Sequence, residues 1–305
     1  MLEAGLIVSR FLHYTACLTL FGISLFPLYT STALPGASYS RAHGRTAMWW
    51  TTLVALLSAV FWFTSVVDNM TGTLNGFLDR SSVWSVLSET SFGKIWVARF
   101  ILLMVILAVV PAQAKSPKEN WSWLLPTLCA ALLVSLAGVG HTQMDDGLTR
   151  VVHMSSDGLH LLAAGAWLGG LVSLFSLVAR AIWTSGSESA ASNAALRFSG
   201  MGYIAVATII GSGLINSWFL VGSFANLRTP YGQLLIVKLV LFAAMLGLAG
   251  LNRFFIVPSL IKADEDHAVG LSRLRRHVLG EQALGFLIIL IVSALGTMQP
   301  AVNPT

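Results

Sequence analysis

Along the chain, uninterrupted apolar stretches of about 20 residues alternate with short polar connections, at roughly residues 6–30, 46–68, 93–112, 121–141, 151–180, 198–221, 232–256 and 277–298. Twenty residues is the length a helix needs to cross ~30 Å of hydrocarbon. The stretches lack the dyad alternation of barrel strands, and a lipid-exposed span must satisfy its backbone internally. The pattern therefore predicts an all-α, polytopic membrane protein with about eight transmembrane helices, built as a single membrane domain over 1–305. Between the second and third spans, TGTLNGFLDRSSVWSVLSET (71–90) is too polar to cross. Its Val83, Trp84 and Leu87 fit either a short interfacial amphipathic helix or a capping loop. TSGSESAASN (184–193) reads as a flexible polar connection.

Composition sharpens this reading. Of the 305 residues, 55% are hydrophobic and 10% charged, and the mean hydropathy is +0.76, too little polar surface for a water-soluble globule. The net charge of +5 does not point to nucleic acid, because the basic residues are scattered through loops. Their distribution reports orientation instead. Connections after spans one, three, five and seven hold Arg41, Arg45, Lys115, Lys118, Arg180, Arg197, Arg253, Lys262, Arg273, Arg275 and Arg276. The opposite connections hold chiefly Arg80, Lys94, Arg150 and Arg228, together with several acids. The positive-inside rule makes the first set cytoplasmic and puts both termini on the periplasmic side of a bacterial inner membrane. The first stretch has no basic flank and no small-residue cleavage signature, so it is expected to be a retained helix. Cys17 and Cys129 fall mid-span, as small hydrophobes rather than disulfide partners. Trp49, Trp50, Trp96, Trp121, Trp123 and Trp218 are expected as interfacial belt residues, and Met104, Met201 and Met245 as lipid-facing filler.

One span breaks its own apolar pattern. VVHMSSDGLHLLAAGAWLGG (151–170) carries His153, Asp157 and His160 at spacings i, i+4 and i+7, on one helical face. Counting 1.5 Å per residue from Val151, Asp157 lies ~9 Å and His160 ~14 Å below the outer surface. A charge at mid-bilayer costs from ~2.5 to more than 10 kcal/mol, so such groups normally face a bundle interior or a watery cavity. Other spans bring polar groups to the same layer: His13 with Cys17 one turn below it, Arg99, His141 and Met144 in GHTQMDD, Asn216 in GLINSWF and Lys238 in YGQLLIVKL.

Imidazoles with a carboxylate suit copper or zinc, and nearby thioethers favour Cu(I). On that reading His141, His153, Asp157 and His160 are the core ligand candidates. His13 could complete the shell, Met144 and Met154 could hand ions in at the mouth, Lys238 and Arg99 could neutralise Asp157, and Asn216 could orient an imidazole. The plainer reading is a buried polar network that ties helices together, with Asp157 paired to Lys238 or Arg99. Glu281, toward the cytoplasmic side, is expected to pair with Arg253 or Arg276, with a relay role as the alternative.

At these residues the chain resembles the CopD family of bacterial inner-membrane copper resistance and copper uptake proteins. The likeness is strongest over 197–256, where RFSGMGYIAV, GLINSWF, YGQLLIVKL and GLNRF follow in the family's order. GHTQ, DGLHLLAAGAWLGGL and FGKIWVARF resemble its upstream helices. The resemblance implies an eight-helix protein that moves copper, as Cu(I) or Cu(II), across the inner membrane, with import toward the cytoplasm as the expected direction. It also implies a separate periplasmic copper-binding partner, since no soluble carrier domain is fused to these spans. The outer loops lack the dense methionine runs of many copper handlers.

A different class stays open: a redox protein holding haem between paired histidines, His13 with His160 or His43 with His277. No nucleotide loop, nucleophile elbow or protease motif is present, so an enzyme is not expected.

Overall fold

The computed structural model describes residues 2–30, 37–73, 75–115, 122–184, 187–262 and 267–302. Described secondary structure is helical throughout. The long helices are α1 (Leu2–Thr30), α2 (Ala37–Thr71), α4 (Ser91–Lys115), α6 (Gly147–Ala181), α7 (Glu188–Val221), α8 (Pro230–Leu251) and α10 (His267–Leu295). Shorter ones are α3 (Arg80–Glu89), α5 (Leu124–Val134) and α9 (Val257–Lys262). Between α8 and α9 the chain makes one π turn, Asn252–Ile256.

Among the described residues, seven helical stretches are long and apolar enough to cross a membrane. The fourth expected span takes another form: α5 runs into a 3-10 segment to make the shorter apolar rod Leu124–Val139. Eleven α-helical and five 3-10 residues rise about 26 Å, close to the hydrocarbon thickness. Arg10 near the start of α1 donates from Nη1 to the Gly296 carbonyl just past α10, at 2.7 Å. The start of α1 and the end of α10 therefore lie at one end of the bundle.

The segment 71–90 resolves in favour of the helix. Asp79 caps α3, accepting from the backbone N–H groups of Ser81 at 3.3 Å and Ser82 at 3.0 Å. Trp84 stands exposed and Val86 is buried. The expected loop 184–193 is shorter than its composition suggested, because α7 begins at Glu188.

Two apolar cores sit side by side. One gathers α1, α2, α4 and α5 around Leu20, Trp62, Trp96, Leu103 and Leu132; the other gathers α6, α7, α9 and α10 around Trp167, Leu171, Phe198 and Leu274. Ala164, Leu168 and Met201 pack on both. The seam is made by glycine: a Cβ on Gly22 of α1 would run into the backbone of Gly169 and Gly170 on α6. Bare glycine lets two helices meet closely where lipid offers no hydrophobic drive toward association. Two expectations change here. Trp96 is fully buried beside His13 rather than belted at the interface, and Met245 is core rather than lipid-facing. Trp49, Trp50, Trp123 and Trp218 are exposed as expected. The side chains of Arg41, His43, Lys115, Lys118, Trp121 and Lys262 lie outside the described residues.

Candidate functional site

Where the two cores part at the end holding both termini, the bundle encloses a cavity of about 170 Å³. His141, His153, Asp157, His160, Asn216 and Lys238 all line it. They arrive on four elements: the 3-10 turn His141–Met144, then α6, α7 and α8. The i, i+4, i+7 stripe on α6 continues into this wall through Ala164 and Leu168.

Each histidine is oriented by a partner. His153 Nδ1 lies 2.6 Å from Asp145 Oδ2, and its ring stacks on Phe219 at 4.6 Å. A carboxylate only accepts, so Nδ1 carries a proton, and in the neutral imidazole the lone pair is then on Nε2. His160 Nδ1 lies 3.0 Å from Ser212 Oγ, whose own proton goes to the Thr208 carbonyl at 2.5 Å. The hydroxyl therefore accepts from Nδ1–H, and again Nε2 is left basic. His141 Nε2 donates to the Leu295 carbonyl at 3.3 Å, which leaves Nδ1 basic. Three imidazoles on one cavity wall are thus fixed in tautomers that keep a lone pair for a ligand, the arrangement in which outer partners set a metal-binding histidine.

Asp157 Oδ1 accepts from Asn216 Nδ2 at 3.3 Å. The Asn216 Oδ1 is buried without a partner. Lys238 shares the cavity with Asp157 but makes no direct ion pair with it within 4.0 Å. Donor chemistry therefore fits a soft or borderline cation: imidazole nitrogens, one carboxylate and an orphaned carboxamide oxygen. In this conformation the donors ring a space rather than converge: among the described residues no three His, Cys, Asp or Glu side chains come close enough to share one ion.

Two expected members stand elsewhere. His13 is fully buried among α1, α2 and α4, with Nδ1 at 3.0 Å from both the Ala55 carbonyl and Ser58 Oγ. Arg99 donates to its Nε2, and also to the Leu132 carbonyl at 2.8 Å, to Ser135 Oγ and to Cys17 Sγ at 3.6 Å. The guanidinium therefore neutralises nothing at Asp157, and it occupies the lone pair that His13 would have offered a metal. The same contact corrects the haem pairing of His13 with His160, since His13 does not line the cavity. His43 of the other pair lies outside the described side chains. Met144 is exposed three residues beyond His141 and Met154 lies against Gly138, and neither lines the cavity. Glu281 also differs from expectation: its partners are Asn252 and Trp167, not a base.

The cavity adds residues that spacing alone did not single out. Arg10, Tyr14 and Tyr231 line it, and Asp145 and Ser212 orient its histidines. Arg10 was the findable one, an arginine at the fifth residue of the first apolar stretch.

Fold and site together define a multi-pass, all-α membrane protein whose helices surround a histidine-lined cavity. Two family models match the chain, "Copper resistance protein D-like, N-terminal domain" over residues 1–151 and "Copper resistance protein D" over 192–295. It is 31% identical to an inner membrane protein of Escherichia coli, YebZ, over 98% of this chain and 100% of the relative. It is 31% identical to copper resistance protein D of Pseudomonas syringae over 96% of each. It is also 31% identical to the copper transport protein CutJ of Bacillus subtilis, over 70% of this chain and 38% of that one. The chain belongs to the copper resistance protein D family. No solved structure matches it.

Proposed function

We propose that this protein binds copper in the His/Asp cavity and carries it across the bacterial inner membrane toward the cytoplasm. The observation that carries the reading is that His141, His153, Asp157 and His160, arriving from two successive elements, line one cavity with an orphaned Asn216 Oδ1 beside them. His153 and His160 present Nε2 and His141 presents Nδ1, while Lys238 and Arg10 balance Asp157 when no ion is bound. Met144 is the outermost soft donor, placed to receive copper from a separate periplasmic copper-binding protein. The excess of basic residues in the odd-numbered connections supports periplasmic termini, and so a periplasmic mouth for the cavity. The names of the relatives from E. coli, P. syringae and B. subtilis support the inner membrane, copper and transport, and none of them points to catalysis.

The test is equilibrium copper binding to purified protein, wild type against His160→Ala. The expected result is a large loss of affinity in a variant that still runs as a folded, monodisperse species. Unchanged stoichiometry and affinity would remove the cavity from the account.

A further inference from the structure

The second core holds a buried acid that the cavity does not use. Glu281 on α10 is 2% exposed and accepts from two neutral donors, Asn252 Nδ2 at 2.7 Å and Trp167 Nε1 at 3.3 Å. Among the described residues, no charged group on an element packed against it forms an ion pair with it. Arg253 on the π turn bonds the Tyr203 hydroxyl at 3.3 Å, and Arg180 on α6 bonds the Ser176 carbonyl at 3.0 Å. His153, Asp157 and His160 on α6 and Lys238 on α8 line the outer cavity, while Arg10 and His13 on α1 are held at Gly296 and Arg99. On α10 itself Arg273, Arg275 and Arg276 lie nearer the helix start, and among the described residues none forms an ion pair with Glu281 within 4.0 Å. A carboxylate at this depth with no cation beside it is costly to keep charged.

Two unpartnered atoms flank it. Asn252 Oδ1 is buried with no hydrogen-bond partner, and Asn252 itself is 8% exposed. His277, one turn toward the start of α10 and on the same face as Glu281, has a buried Nδ1 with no partner. The asparagine opens the π turn, a local distortion that recurs at functional positions in membrane helices and elsewhere. Along α6, Trp167 is seven residues beyond His160, so Glu281 lies about 10 Å deeper than His160.

We propose that Glu281, Asn252 and His277 form a proton-exchange station in the half of the bundle opposite the His/Asp cavity. Deprotonated, Glu281 keeps the two donors seen here. When it takes up a proton, the new O–H needs an acceptor, and a half-turn of the Asn252 carboxamide presents Oδ1 in place of Nδ2. The hydrogen bond between the two side chains is therefore kept in both protonation states without moving a helix. His277, about 6 Å along the axis, takes the proton from Glu281 and passes it to water at that end. Coupling of this proton to copper rests on the copper reading above; the station itself does not.

Difference infrared spectroscopy of copper-free protein, titrated in pH, reads the carbonyl stretch of a protonated carboxyl. In an Asp157→Asn background, which removes the other intramembrane acid of this path, a titrating band is expected. Adding Glu281→Gln abolishes it, and adding Asn252→Leu moves its midpoint by about one unit or more. Glu281→Gln keeps the size of the side chain, and the midpoint shift in Asn252→Leu gives a second readout should Glu281→Gln fold poorly. A band that survives Glu281→Gln, or a midpoint indifferent to Asn252→Leu, overturns the station. In proteoliposomes under an imposed pH gradient, wild-type copper uptake is expected to follow the gradient. Glu281→Gln loses that dependence while binding copper within about twofold of wild type, and His277→Ala is slower. Gradient dependence retained in Glu281→Gln overturns the coupling. Wild-type protein that binds no copper overturns the transport reading instead, and leaves the infrared result standing.

Discussion

Two of the buried polar groups built around histidine make a contrast, one sealed around His13 and one hollow around His141, His153 and His160. In the sealed one, His13 is closed in by Trp62 and Trp96 at 5.7 and 5.6 Å, and both ring nitrogens are engaged. In the hollow one, His153 and His160 are held just as firmly through Nδ1, yet both residues line about 170 Å³ of space and no hydrogen bond is shown at either Nε2. Both clusters cost desolvation, and both contain a cation. What separates them is where the last lone pair goes: into an arginine in one, into a cavity in the other. Sequence depth makes the two look alike, and only the partners of each nitrogen tell a structural histidine from one available to a ligand.

The strongest way to break this contrast is to remove Arg99. Arg99→Met would take the arginine donor from His13 Nε2, the Leu132 carbonyl and Ser135 Oγ in a dry interior, leaving His13 Nε2 only the weak Cys17 thiol contact at 3.5 Å while Ser135 Oγ still bonds the Leu132 carbonyl at 2.7 Å, and a buried group left poorly paired costs about 1–3 kcal/mol. A combined loss of about 3–5 kcal/mol is expected, measured by denaturant unfolding in detergent and by folded yield. Copper affinity of the surviving folded fraction should not change. A stable variant that loses copper would reverse the assignment of the two clusters.

The next effect runs the opposite way. His160→Ala and His153→Ala are each expected to lower copper affinity by about 100-fold or more, while unfolding shifts by less than in Arg99→Met. His13→Ala should do the converse, lowering stability and sparing copper. Equal losses of copper binding from His13→Ala and His160→Ala would mean that the sealed cluster opens in solution and joins the site.

Most of this architecture was legible before any coordinates. Apolar runs of sufficient length gave the crossings, and the 153, 157, 160 stripe gave a shared face because helical geometry fixes it. Equal depth put His141, Asn216 and Lys238 in the same layer, and all three line the cavity. It failed for His13 and Arg99, because depth along the membrane normal says nothing about which side of a bundle a helix occupies. α1 turns His13 toward α2 and α4, whereas Arg10, from nearer its outer end, reaches the cavity. Trp96 failed for a related reason: a tryptophan near a span end reads as a belt residue until its neighbours include another core. Asp145 and Ser212 were invisible because orienting partners act through hydrogen-bond geometry and leave no periodicity.

Those two partners give a subtler test of the hollow cluster. Asp145→Asn keeps the shape beside His153 but offers an amide that can also donate, so the Nδ1–H tautomer is no longer enforced. Copper affinity is expected to fall by about 10- to 100-fold, and Ser212→Ala by about tenfold through His160. Wild-type affinity in both variants would mean that the cavity nitrogens need no orientation and that the lone-pair argument is wrong.

The smallest expected effect serves as the control outside both clusters. Asp79 is fully exposed, and hydrogen bonds from the Ser82 and Ser81 side chains, then from their backbone N–H groups, hold its pKa at about 2 against an ordinary 3.8. The folded value is the lower one, so the cap's contribution is fully present above about pH 4 and is lost as pH falls through about 2. Water screens a group this exposed, and the helix it caps is short, so the consequence should stay within α3. Amide exchange at Ser81 to Val86 should quicken as pH falls across that window, beyond the intrinsic change of the amides themselves. Asp79→Ala should show the quicker exchange already at neutral pH, because the orphaned N–H groups at the start of a helix then lose their side-chain acceptor. Copper affinity at neutral pH should match wild type. Should Asp79→Ala instead weaken copper binding, α3 would have to be coupled to the cavity across α4, and the separation between the sealed and hollow clusters would no longer describe how this bundle handles its ligand.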